Sequence, residues 1–413
     1  MSGKDKTEFR CRSCSSERGN IILDLGIQPL ANNLLNKSDL DSSEPKFPLR
    51  LAVCDNCYLM QIVDLVPPVK LFSEYFYFSS FSDTMVEHAR KAARRYIKEF
   101  NLTSNSFVIE IASNDGYLLK NFVEAKIPCL GIEPAKNVAE VAIKNGIPTV
   151  VEFFGEQYAR KLTRDGKKAD LILANNVFAH VPDINGFVEG LKIALKPDGS
   201  VILEFPYGIE MVENNEFDTI YHEHVFYFTM TALVPLFASH GLQIYNVERI
   251  PIHGGSLRLF AGHPREHSIG DSVKTLLEEE QNKGIKDLNF YLSFSERVKK
   301  LKDELASLLY DLKSRKKTIA AYGASAKGTT LLNYIGLDNS LIDFIADRSL
   351  YKQGKFSPGM HIPIVPPDWL IKKQPDYTLL LTWNFADEIM NQQSEYRKRG
   401  GKFIIPIPEV KIV

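Results

Sequence analysis

The chain reads as an α/β protein: two Rossmann-like units built on doubly covered parallel sheets, behind a small cysteine-rich head. Three observations predict this. Apolar runs of strand length recur between helical patterns, at residues 107–112, 128–133, 169–174 and 200–205. Strands spaced by helices imply a parallel sheet covered on both faces. The same alternation restarts at residues 318–323, beyond a long charged helical stretch, so a second unit follows the first. Two Cys-X-X-Cys pairs stand ahead of both. With 413 residues the chain exceeds one ordinary core. The expected units are 1–69, a zinc-binding head; 70–268, the first α/β unit; and 269–413, a helical connector with the second.

Composition excludes several classes. A formal net charge of -1 offers no electrostatic basis for binding nucleic acid or an anionic membrane. No apolar run approaches the length of a membrane span. The opening Met1-Ser-Gly-Lys-Asp-Lys lacks the pattern of a signal peptide, so the expected location is the cytoplasm. In that reducing setting cysteine pairs point to metal rather than disulfides.

In the head, each knuckle presents two thiolates to one ion, and two knuckles complete a tetrahedral site. Cys11, Cys14, Cys54 and Cys57 are therefore expected to hold a structural Zn2+. Four thiolates leave no open position for catalysis. The stretch between the knuckles would carry a β-rich insert, too poor in apolar core to stand without the metal. The run Phe72-Ser-Glu-Tyr-Phe-Tyr-Phe-Ser-Ser80 comes next. It reads equally as a packing platform between domains and as a source of two hydroxyls, Tyr75 and Tyr77, for a cleft. A helix over about 83–100 follows, capped by Ser82 or Asp83.

The first strand of the middle unit ends in Ser113-Asn-Asp-Gly116, and a helix is expected from about Tyr117. One glycine is not the G-x-G-x-x-G that seats a pyrophosphate, so a nicotinamide cofactor is disfavoured. A cofactor without phosphates needs the tight turn but not the anion site. Glu133 ends the second strand, where it could accept both hydroxyls of a ribose. Further strands are expected at 148–153, 242–249 and 256–260. The densest chemistry lies in Asp218-Thr-Ile-Tyr-His-Glu-His-Val-Phe-Tyr-Phe228. Burying polar groups that move protons is costly, so their clustering points to acid–base work at the carboxyl edge of the sheet. The alternative is a loop of satisfied core polar residues. If the segment is extended, His222 and His224 share one face, and Tyr221 and Glu223 the other. Apolar and aromatic surroundings favour the neutral imidazole, poising a histidine as a base.

The connector, from about 271 to 317, repeats apolar residues at helical spacing: Val298, Leu301, Leu305, Leu308 and Leu312. Its mixed acids and bases argue against a membrane-surface helix. In the tail, Gly323-Ala-Ser-Ala-Lys-Gly328 comes near a P-loop, but Lys327 precedes the second glycine, so an NTPase is rejected. The loop reads equally as a phosphate cradle using Lys327 and as a scaffold that holds no cofactor.

Five motifs together carry a resemblance over essentially the whole chain. They are Glu110-Ile-Ala-Ser-Asn-Asp-Gly116, Asn175-Asn-Val-Phe-Ala-His-Val-Pro-Asp183, Ile220-Tyr-His-Glu-His224, His253-Gly-Gly-Ser-Leu-Arg258 and Gly323-Ala-Ser-Ala-Lys-Gly328. The chain resembles the nucleotide-sugar C-methyltransferases, enzymes that use S-adenosylmethionine on nucleotide-diphosphate-linked keto-deoxysugars. The resemblance implies a central class I methyltransferase fold, a structural zinc, a nucleotide-diphosphate sugar substrate, and a monomer or homodimer. It also implies a mechanism in which a base forms an enolate beside the ketone, whose carbon then accepts the methyl group. His224 matches the family's base. Tyr221, Glu223 and His180 match neighbouring catalytic positions, and Tyr75 or Tyr77 matches a tyrosine lent by the head. Glu110, Asn114, Asp115, Gly116, Glu133 and Asn175 or Asn176 fall where the family holds S-adenosylmethionine. His222 reads either as a substrate contact or as structural, and Lys327 as a contact to the sugar nucleotide's phosphate. The competing readings are O- or N-methylation of a sugar, and a scaffold whose cofactor pocket is retired.

Overall fold

The computed structural model describes residues 9–67, 71, 78–252 and 254–413. Expectations for Tyr75, Tyr77 and His253 fall outside them. In the head, β1 (Gly19–Pro29), β2 (Lys46–Cys54) and β3 (Met60–Ile62) pair antiparallel. The middle unit follows with β4 (Val108–Ile111), β5 (Cys129–Ile132), β6 (Thr149–Val150), β7 (Ala169–Asn175) and β8 (Leu195–Pro206). The next strand, β9 (Phe226–Tyr227), leaves the middle unit and pairs with β3 as the fourth strand of the head sheet. The histidine-rich turn just before it is thereby pinned between the two units. Ile62 donates its N–H to the Val225 carbonyl, and Val225 donates to Ala179.

The main sheet is closed by β10 (Gln243–Ile250) and β11 (Ser256–Gly262), in the order β10-β11-β8-β7-β4-β5-β6. The expectation of an all-parallel sheet is corrected here: β11 runs antiparallel to both of its neighbours. Strand order reverses between β4 and β7, which opens a crevice at their carboxyl ends. This is the class I methyltransferase arrangement. A buried ion network fastens the antiparallel edge. Glu204 takes charge-assisted bonds from Arg258 at 2.7 Å and His88 at 2.8 Å, and Arg258 and Arg95 both reach Glu248. Breaking its buried Glu204–Arg258 pair from one side costs about 3–5 kcal/mol.

The Asp83–Glu99 helix is capped by Ser82, whose side chain accepts from the Met85 N–H. Its Met85, Ala89, Ala92, Ala93 and Tyr96 are buried. Further on, the connector forms two helices, Asp271–Asn282 and Leu288–Ser314. The second buries Val298, Leu301, Leu305 and Leu312 as the spacing predicts, with Leu309 rather than Leu308 completing the stripe. Glu280, fully buried, accepts from the Tyr207 hydroxyl, from the Met230 and Thr231 N–H groups, and from the Thr231 hydroxyl. It thereby fastens the connector to the start of the Met230–Ser239 helix.

The tail sheet has the order β14-β13-β12-β15-β16-β17, from β12 (Ile319–Tyr322), β13 (Ile345–Ala346), β14 (Ile364–Val365), β15 (Tyr377–Leu380), β16 (Lys402–Ile405) and β17 (Lys411–Ile412). All pairs are parallel except β16 with β17. The Ala326–Ile335 helix lies where all three units meet. Thr329 donates its hydroxyl to the Ala31 carbonyl of the head, and Thr330 donates to Ile220 of the middle unit.

Candidate active site

The loop after β4 makes a tight pocket floor. Ala112, Asn114 and Gly116 all take positive φ, at 53°, 51° and 81°. A side chain at Gly116 would strike Ile147 at 2.8 Å, so glycine is required there. The expected helix from Tyr117 begins only at Lys120, because this loop uses the intervening residues. Glu133, 5% exposed, accepts the N–H groups of Asn114 and Ala135 on its two oxygens, at 2.9 and 2.8 Å. Desolvation raises its pKa above the ordinary range. Buried Glu110 is driven well up, first by desolvation and then by the charges of Glu133 and Asp115. Asp115 Oδ1 and Asn175 Oδ1 are buried with no hydrogen-bond partner among the described residues. Glu110 Oε2 is orphaned likewise, and three carboxyl groups with these acceptors on one floor suit a ligand that brings positive charge and N–H or O–H donors. The Ser79 N–H donates to Asn114 and the Ser80 N–H to Asp115, which ties the segment before the Asp83–Glu99 helix over this floor. Beside it, Phe78 and Phe81 stack on Tyr351 of the tail.

The histidine-rich segment is a turn, not the extended strand considered above. The His224 N–H closes it on the Tyr221 carbonyl at 2.9 Å. Faces therefore do not alternate, and Tyr221 and His224 come together. The Tyr221 hydroxyl lies 2.7 Å from His224 Nε2, and His224 Nδ1 lies 2.9 Å from the Thr219 carbonyl. A carbonyl can only accept, so Nδ1 carries the proton. In the neutral ring Nε2 is then the unprotonated nitrogen, accepting from Tyr221. The Tyr227 hydroxyl shares the Thr219 carbonyl at 3.2 Å. His180 meets the His224 ring edge-on at 4.8 Å between centroids. Burial drops its pKa to about 4, against a smaller upward effect of a hydrogen bond with the Glu223 backbone. The structure thus gathers Tyr221, His224 and His180 at one place, with the Glu223 backbone beside His180.

Glu223 has a partner that sequence reasoning missed. Asn32 of the head donates its amide to both carboxylate oxygens, at 2.9 and 2.8 Å. Desolvation still pushes Glu223 up to about 7. No local pattern marks Asn32, which stands 191 residues away in the chain.

Three family models match consecutive stretches of the chain: “Putative zinc binding domain” over 11–72, “Methyltransferase domain” over 85–247 and “C-methyltransferase C-terminal domain” over 251–408. The chain is also 36% identical to C-methyltransferase NovU of Streptomyces niveus over 404 residues, 98% of this chain and 96% of the relative. The chain belongs to this C-methyltransferase family. It is an S-adenosylmethionine-dependent methyltransferase. Among solved structures, it is similar to magnesium protoporphyrin IX methyltransferase of Synechocystis PCC 6803 with bound SAH, at 12% identity and a TM-score of 0.35, over 43% of this chain and 83% of that one. A methyltransferase of Clostridium acetobutylicum ATCC 824 gives 11% and 0.35, over 43% and 92%. Both likenesses are too slight to add to the strand order.

The enzyme's zinc site is well formed. The four cysteine Sγ atoms lie within 4.8 Å of one another, with Cys11–Cys57 at 3.5 Å and Cys14–Cys54 at 3.6 Å. A tetrahedron with Zn–S bonds of about 2.3 Å has edges of about 3.8 Å, so the thiolates fit zinc with little adjustment.

The two expected substrate contacts, His222 and Lys327, have different settings. His222 is 1% exposed; its Nε2 donates to the Pro48 carbonyl at 3.1 Å, and its ring packs edge-on against Phe47. It joins the turn to the head. Lys327 lies over the Trp383 ring, with Nζ 4.7 Å from the centroid. Its charge acts on Glu216 and Asp218. Lys327 Nζ is itself buried with no hydrogen-bond partner among the described residues.

Proposed function

We propose that this enzyme transfers a methyl group to the carbon beside the ketone of a nucleotide-diphosphate-linked keto-deoxysugar, with His224 as the base. The observation that carries the proposal is the tautomer. The Thr219 carbonyl holds the proton on Nδ1 and leaves the Nε2 lone pair facing the Tyr221 hydroxyl. A C–H beside a ketone is acidic enough for imidazole to remove when the developing oxyanion is stabilised. Nε2 takes that proton. The Tyr221 hydroxyl, released from Nε2 as the ring becomes charged, donates to the enolate oxygen. His180 lies edge-on against the His224 ring, and Glu223 is held by Asn32 of the head.

Bound S-adenosylmethionine supplies the electrophilic methyl. Glu133 would hold the ribose hydroxyls, Asp115 and Asn175 the donors of the amino acid part, and Glu110, Asn114, Gly116 and Asn176 the walls around them. The units 1–69, 70–268 and 269–413 then serve as metal-stapled head, cofactor unit and tail. The relative NovU is named for C-methylation, which supports carbon over O- or N-transfer.

The test is incubation with thymidine- and guanosine-diphosphate keto-sugars and methyl-13C-labelled S-adenosylmethionine. The expected product gains one methyl, with its carbon signal coupled to a ring carbon. A label attached to oxygen or nitrogen would refute the reading. A His224→Ala enzyme that binds cofactor and still turns over fully would refute the assignment of the base.

A further inference from the structure

The tail grips the turn that carries the Tyr221–His224 pair. Asp218 is fully buried immediately before Thr219, and its Oδ2 accepts the Trp383 indole N–H at 2.7 Å. Beneath the indole face lies Lys327 Nζ. The neighbouring Glu216, 5% exposed, faces the same lysine. One residue past Thr219, the Ile220 carbonyl accepts the Thr330 hydroxyl at 3.3 Å. Thr219 is therefore clamped on both sides by tail side chains. Its carbonyl receives His224 Nδ1–H and the Tyr227 hydroxyl.

We propose that Trp383 is a positioning residue: by donating its N–H to Asp218 it fixes the Thr219 carbonyl, and so keeps the His224 proton on Nδ1 and the basic lone pair on Nε2. This rests on the reading of His224 as the base. The physical argument is one of distance and alternatives. An imidazole has two neutral tautomers of similar energy, and the hydrogen bond made by one nitrogen decides which is present. A carbonyl free to swing by an ångström would no longer select one. At metal sites, partners that orient a histidine through its second nitrogen contribute about ten- to a hundredfold when removed, and here that partner is the Thr219 carbonyl.

The substitution is Trp383→Phe in the full chain. Phenylalanine keeps an aromatic face for Lys327 and removes the N–H together with the second ring, so Asp218→Asn and the tautomer readout separate the two losses. Two readouts apply. Nitrogen-15 NMR of the nine histidines, with His224 assigned by difference from His224→Ala, reports the tautomer without any substrate. Steady-state kinetics on the keto-sugar accepted by the wild type reports kcat and KM.

The inference predicts His224 Nε2 as the unprotonated nitrogen in the wild type and a mixture of tautomers in Trp383→Phe. It also predicts a kcat lower by about tenfold or more, with the KM for S-adenosylmethionine unchanged. Asp218→Asn, which keeps an acceptor for the indole, should retain the wild-type tautomer. Wild-type nitrogen shifts and wild-type kcat in Trp383→Phe would overturn the inference. So would a lower kcat with the tautomer unchanged, since that is what a purely structural role gives. If His224→Ala is itself fully active, the reading of the base fails, whatever Trp383→Phe does.

Discussion

Replacing Glu223 with glutamine should make the enzyme more resistant to unfolding above neutral pH while removing activity. Glu223 is 5% exposed, and its pKa is raised from the ordinary 4.5 to about 7, first by desolvation and despite the Asn32 amide. A carboxyl raised on folding binds its proton more tightly in the native state. Between about pH 4.5 and pH 7 the native protein therefore holds a proton that the unfolded chain has released, and stability falls as pH rises. Taking 4.5 and about 7 as the two values, this one group costs about 2.5 kcal/mol between pH 5 and pH 8. Glutamine cannot ionise, so that component disappears. Its extra N–H groups lack an evident partner and cost about 1–2 kcal/mol at every pH. The informative quantity is thus a double difference: the stability of Glu223→Gln relative to wild type at pH 8, minus the same difference at pH 5. Denaturant unfolding followed by fluorescence at the two pH values measures it. The constant amide cost cancels in this difference, so the expected result is about +2.5 kcal/mol, with turnover lost at both. A double difference near zero would mean that Glu223 is ordinarily acidic and would refute the electrostatic reasoning.

Two further outcomes follow from the same structure. Removing zinc with a chelator, or making Cys57→Ser, should unfasten the head, which supplies Asn32 to Glu223 and β3 to β9. Metal analysis, calorimetric titration with S-adenosylmethionine and kinetics together should show lost zinc, retained cofactor binding and turnover lower by at least about tenfold. Glu133→Gln should act the other way round. It weakens a charged acceptor at the β5 end, worth about 1.5–3 kcal/mol, so the Kd for S-adenosylmethionine should rise about ten- to a hundredfold while the sugar KM holds.

Much of this architecture is legible in the sequence, for reasons that differ from element to element. The two cysteine knuckles are legible because metal geometry fixes their local spacing. The strands ending at Glu133 and Asn175 are legible because buried parallel strands read as short apolar runs with polar ends. The antiparallel β11 is not, since it is buried along its whole length and its composition matches its parallel neighbours. The histidine-rich segment shows its chemistry in its composition but not its shape. Its turn is set by bonds to Ala179, Ile62 and the tail, which periodicity cannot reveal. Asn32 and Trp383 are illegible for the same reason: each is a single polar group that acquires meaning only through a contact more than 160 residues away.

The most direct test of the account is solvent exchange at carbon. The keto-sugar accepted by the enzyme is incubated in deuterium oxide with enzyme and S-adenosylhomocysteine, so that no methyl can be transferred, and then analysed by proton NMR. The account predicts that the C–H beside the ketone is replaced by deuterium in the presence of wild type, and only at the solvent background rate with His224→Ala. Wild-type enzyme that methylates this substrate but never exchanges that proton, or a His224→Ala enzyme that exchanges it at the full rate, would contradict it.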